Sequence, residues 1–119
     1  MAQATVITMV PTRAGPATGS VSFVSDRQPA ASYYVAGKDL QTVAWDLQNT
    51  FSADISIQAS LATTPGVYDW FTVDMIPTSP STTIPRQSGY TNLNGKYVWI
   101  RVNITNWTAG NINSITLSY

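Results

Sequence analysis

Apolar residues recur at every second position through several short stretches of this chain, and no stretch carries the spacing of a helix. The clearest is residues 96–119, where Val98, Ile100, Val102 and Ile104 alternate with Tyr97, Trp99, Arg101 and Asn103. Period-2 alternation marks a strand with one face buried. Beyond the polar break Asn106-Trp107-Thr108-Ala109-Gly110, Asn113, Ile115, Leu117 and Tyr119 share a face. Two such runs around a Gly-containing break predict an antiparallel hairpin. Val43, Trp45 and Leu47 share one face of 42–47, with Trp45 read as core. Ile55, Ile57, Ala59 and Leu61 share one face of 53–61, and the short connector 48–52 predicts a second hairpin. In 69–76, Phe71, Val73 and Met75 alternate against Trp70, Thr72, Asp74 and Ile76.

Weaker signals fill the rest. Residues 5–10 form a short apolar run ended by Pro11, Val21 and Phe23 suggest a strand, and Tyr33 and Tyr34 make 32–35 β-prone. Pro77, Pro80 and Pro85 exclude an interior strand over 77–85 and predict a long surface loop. Asn94-Gly95 suits a tight turn into the terminal hairpin. About seven or eight short strands with turns between them predict an all-β fold. Two packed sheets bury both inner faces, so the expectation is a single antiparallel β-sandwich, jelly-roll-like or immunoglobulin-like. Residues 1–20 are expected as an N-terminal arm or edge strand, and 21–119 as the sandwich domain. As an arm, residues 1–20 would order on a neighbour, with the first ten needed for incorporation and dispensable for folding.

Composition narrows the chemistry. The 119 residues fit one domain, and 44% of them are hydrophobic, enough for a core. Charged residues are 10% and balance to zero, so neither a basic groove for nucleic acid nor attraction to an anionic membrane is expected. The chain has no Cys and no His, and its six acids are all Asp. That removes disulfides, a thiol nucleophile and the commonest general base and metal ligand. No cofactor is implied, and a calcium ion held by loop Asp side chains and carbonyls is the one metal alternative. Asp69 and Asp74, five apart on one strand, point to opposite faces and do not make a catalytic pair. Enzymatic activity is not expected. The N-terminus carries no secretory pattern, so synthesis in the cytoplasm is expected and the sequons at Asn103 and Asn106 read as chance.

The candidate site residues are aromatic and basic. Trp70 and Trp99 lie opposite the apolar rows of their strands. Such rings anchor protein interfaces, stack on sugar rings, or tuck under a loop. Tyr97 and Arg101 share the Trp99 row, and Trp107 is expected in the hairpin connection, folding back over the sheet edge. Trp70, Tyr97, Trp99, Arg101 and Trp107 therefore form the expected interface set.

The run Gly95-Lys96-Tyr97-Val98-Trp99-Ile100-Arg101-Val102, then Thr108-Ala109-Gly110, Ile112, Ile115 and the closing Ser118-Tyr119, resembles the end of small virion structural proteins of tailed bacteriophages. The resemblance is to the contractile-tailed phages of cyanobacteria. The segments Ala59-Ser60-Leu61-Ala62 and Asp69-Trp70-Phe71-Thr72-Val73 share it, and together these cover about a third of the chain. The resemblance implies a non-enzymatic subunit of a capsid, neck, tail or baseplate, located in the virion, with other virion proteins and copies of itself as partners. A carbohydrate-binding module for host attachment is the alternative expectation.

Overall fold

The computed structural model describes residues 6–15, 19–34, 39–76 and 86–119. The expected 77–85 loop lies outside them. Among the described residues seven strands and one helical turn follow in order: β1 (Val6–Val10), β2 (Val21–Val24), β3 (Gln28–Pro29), α1 (Ala31–Tyr34), β4 (Leu40–Ser60), β5 (Phe71–Ile76), β6 (Arg86–Asn94) and β7 (Trp99–Ser118). Every strand pairing is antiparallel, and the fold is all-β. The β-prone tyrosine segment is α1 instead. Ala30 and Ala31 are fully buried and Tyr33 lies on Trp99, so tertiary packing overrides local β preference.

The two expected hairpins are each a single long strand. β4 has 21 residues and β7 has 20, and they pair with one another from Thr42↔Ser118 to Ser60↔Trp99. Segments 48–52 and 106–110 are a corner at which both strands bend together. Between the pairs Gln48↔Asn111 and Ser52↔Ala109 the extra residues are on β4; between Ser52↔Ala109 and Asp54↔Thr105 they are on β7. Opposed bulges bend and twist the ribbon, yet leave its register intact beyond the corner.

Burial explains why the chain bends there. Phe51 and Trp107 are both buried at the corner with ring centroids 5.8 Å apart. The Trp107 indole N–H donates to the carbonyls of Ala109 (3.1 Å) and Gly110 (3.2 Å). Gly110 has φ +83°, and a Cβ there would run into the Phe51 backbone. Taking two large rings out of water contributes several kcal/mol, at about 25 cal/mol per Å² of apolar surface.

The bend folds the sheet onto itself. One half contains β1, the end of β7, the start of β4, and β6. The other contains β2 and β3, the start of β7, the end of β4, and β5. Inner rows from both halves, including Leu47 and Leu117 from one and Ile57 and Val102 from the other, meet in one core. The edges nearly close into a barrel. The Tyr119 hydroxyl donates to the Pro29 carbonyl (2.8 Å), and the Thr91 hydroxyl donates to the Asp74 carboxylate (2.7 Å).

Three expected faces are corrected, two of them by single-residue bulges. Val73 is the extra residue between the pairs Gln58↔Thr72 and Ile57↔Asp74, so Ile76 turns inward and Met75 outward. Asn113 is likewise extra between Asp46↔Ser114 and Leu47↔Ile112, so Ile112 takes the core position expected for the Asn113 row. Leu61 lies past the end of β4 and is exposed. Residues 6–10 form β1 along the edge of β7, with Met9 and Val10 buried in the core, so this part of the N-terminal segment is an edge strand.

Candidate interaction surface

The β4–β7 register sets Gln58 beside Arg101 and Ser60 beside Trp99 on the outer face of the second half-sheet. Arg101 crosses its neighbour strand: its Nε donates to Gln58 Oε1 at 2.8 Å, and its guanidinium lies 4.1 Å from the centroid of Trp70. Partial burial draws the Arg101 pKa down from its ordinary value, because desolvation disfavours the charged form. An arginine nevertheless stays cationic at neutral pH. Trp99 is held in the same manner. The Arg27 guanidinium lies 4.5 Å from its ring, Tyr33 packs at 4.8 Å, and its indole N–H donates to the Thr63 carbonyl at 3.0 Å.

The surface is thus a pair of half-buried tryptophans, each under an arginine, mounted on a sheet. A cation over an indole contributes about 0.5–1 kcal/mol where exposed. Its larger effect is to fix both side chains before any partner arrives, which lowers the ordering cost of binding.

Two of the five expected residues lie elsewhere. Tyr97 precedes the first residue of β7, so strand alternation does not reach it; it packs on the core margin against Phe71, with ring centroids 6.1 Å apart. Trp107 is 1% exposed and belongs to the corner, because the bulges rotate it inward. Trp70, Trp99 and Arg101 are brought together on one face.

Several residues join this surface without a periodic signal. Gly66 N donates to Asp69 Oδ2 (2.6 Å) and Asp69 N to the Gly66 carbonyl (3.2 Å), closing a turn whose tip is Val67 and Tyr68. These are 85% and 98% exposed, beside the loop that Trp99 holds through Thr63. The Gly66-to-Asp69 spacing is the one sequence feature that could have flagged this tip, since Asp side chains close such turns. Two clefts open at the seams between the half-sheets. One of ≈ 280 Å³ lies between β1 and β2, including Arg13 and Phe23 in its wall. One of ≈ 490 Å³ lies between β5 and β6, lined by Trp45, Asp74, Met75, Gly89, Tyr90 and Thr91.

The aspartates serve local structure. Asp46 accepts from Asn113 (2.8 Å), Asp54 from Asn106 (3.0 Å), and Asp74 ties β5 to β6. No group of three His, Cys, Asp or Glu side chains gathers among the described residues, and no described helix is long and apolar enough to cross a membrane. Comparison with protein-family models, with curated proteins and with solved structures finds no match to this chain.

Proposed function

We propose that this chain is a non-enzymatic structural subunit of a phage virion, acting through protein–protein contacts. The observation that carries the protein-contact part is the clamped face, where Trp70 and Trp99 lie under Arg101 and Arg27 beside the protruding Val67–Tyr68 turn. Trp, Tyr and Arg are the side chains that dominate binding energy at protein interfaces, and rigid ones cost least to order. With 10% charged residues, few ions need desolvation when subunits meet. The virion part rests on the sequence resemblance.

Mass spectrometry of purified particles tests location: the chain should co-purify with them at a fixed ratio to the other virion proteins. Abundance in the infected lysate with absence from the particles would overturn the reading. Within particles, Trp99→Ala or Tyr68→Ala should lower incorporation about tenfold or more, the range of interface hot spots.

One observation favours a carbohydrate-binding alternative. The β5–β6 cleft combines the exposed Tyr90 with the Asp74 carboxylate and the Thr91 hydroxyl, a stacking surface beside polar groups. Glycan-array binding that is lost in Tyr90→Ala and kept in Trp99→Ala would favour that alternative.

A further inference from the structure

The outer face of the second half-sheet carries opposite charges at its two ends. Its middle row runs Val24, Asn103, Ser56, Met75 across β2, β7, β4 and β5. The two ends of that row are apolar and open to solvent, Val24 at 46% and Met75 at 56%. Two residues along the strands in one direction, about 7 Å, Arg101 lies beside Gln58. The same step in the other direction reaches Asp54 beside Thr105. Among the described residues Arg101 is met by Gln58 and Trp70 and Asp54 by Asn106, and neither has an opposite charge.

We propose that this face pairs with a second copy of the chain, about a two-fold axis lying in the interface along the row Val24, Asn103, Ser56, Met75. Such an axis lays each β4 antiparallel across the other and sets Asp54 of the partner subunit above Gln58. That is where the Arg101 guanidinium lies, because it reaches across Gln58 to Trp70. The symmetry makes the contact twice, as every isologous interface does. Met75 then faces Met75 and Val24 faces Val24, covering the exposed apolar ends. An axis along the strands would instead bring the two Arg101 ends of the face together and the two Asp54 ends together, so the charge pattern selects between the two. Excluding water there strengthens a guanidinium–carboxylate contact relative to the open surface. The inference rests on this face being a protein contact surface, and is independent of where the particle would place it.

Sedimentation velocity over a concentration series provides the test. The wild-type chain should dimerise. Arg101→Asp and Asp54→Arg should each weaken the dimer about tenfold or more, since each sets like charges together at both contacts. An equimolar mixture of the two variants should recover dimer, because the mixed pair restores opposite charges twice; circular dichroism confirms that each variant is folded. A second measurement does not depend on charge. The chain has no cysteine, so Ser56→Cys supplies a lone thiol on the axis. Sheets packed face to face lie about 10 Å apart, so a short bismaleimide should link two such copies. Ser114→Cys, on the outer face of the other half-sheet, should not be linked. A wild type that stays monomeric, a mixture no stronger than its components, or equal linking at the two positions would overturn the proposal. A monomer in solution that still enters particles would do so while leaving the virion reading standing.

Discussion

Gln41 is the residue on which three parts of the chain converge. Its side chain is almost fully buried, yet none of its polar atoms lacks a partner. Oε1 accepts from Ala31 N (3.1 Å), while Nε2 donates to the carbonyls of Asp39 (3.0 Å), Leu93 (2.9 Å) and Gly95 (3.2 Å). It thereby fastens α1 and the end of β6 to the start of β4. Nothing in the pattern Leu40-Gln41-Thr42 signals this, because a polar residue at a strand start normally faces water. Leu at this position fits the apolar surroundings but leaves a buried N–H without its acceptor. Gln41→Leu is expected to cost about 2–3 kcal/mol, the penalty for orphaned buried polar groups. Urea denaturation measures it, and an unchanged midpoint would show that the surroundings re-satisfy those groups without the side chain.

At the scale of the element, β4 and β7 show what an alternating pattern conveys and what it omits. The inward rows Val43, Trp45, Leu47 and Ile100, Val102, Ile104 were legible because each stretch keeps a constant parity. The corner was not. Gln48-Asn49-Thr50 and Asn106 with Thr108-Ala109-Gly110 have turn composition, and the apolar partners that make them a corner, Phe51 and Trp107, lie 56 positions apart in sequence. Bulges were equally hidden, since an extra residue such as Val73 or Asn113 changes parity without changing composition. The site divides along the same line. Trp99 and Arg101 followed from strand parity and Trp70 lies just ahead of β5, whereas Arg27, Tyr33, Val67 and Tyr68 sit where no period exists. Gly110 tests the corner directly. Its φ of +83° belongs to glycine, and an added Cβ would meet the Gln48 carbonyl oxygen at 2.7 Å and the Phe51 backbone more closely still. Gly110→Ala should cost about 3 kcal/mol, through backbone strain and overpacking together. Asn106 also has positive φ (55°), but asparagine tolerates that region, so Asn106→Gly should cost well under the Gly110 figure, about 1 kcal/mol or less, mostly through its exposed hydrogen bond to Asp54. Thermal unfolding of the two variants side by side sets the steric requirement at Gly110 against a positive φ that its own residue tolerates.

For the molecule as a whole, the consequence of one sheet folded on itself is that its edge strands complete the core. β1 shows this most plainly. It pairs with the end of β7 through Val6↔Ser118, Ile7↔Leu117, Thr8↔Thr116 and Val10↔Ile115. Met9 and Val10 are buried in the same cluster as Leu47, Ile115 and Leu117. Removing residues 1–10 therefore strips two core side chains, each worth about 1.5–3 kcal/mol of burial. It also uncovers the β7 edge, whose N–H and C=O groups then face water or another chain's strand. The combined loss is comparable to the whole stability of a small domain, about 5–15 kcal/mol. The shortened chain is expected to lose its cooperative thermal transition and to aggregate through the uncovered edge. A free arm makes the opposite prediction, an unchanged melting curve with only assembly impaired. Circular dichroism melting together with light scattering distinguishes the two. A truncated chain that melts like the full-length protein would mean that β1 contributes little to the core despite its burial.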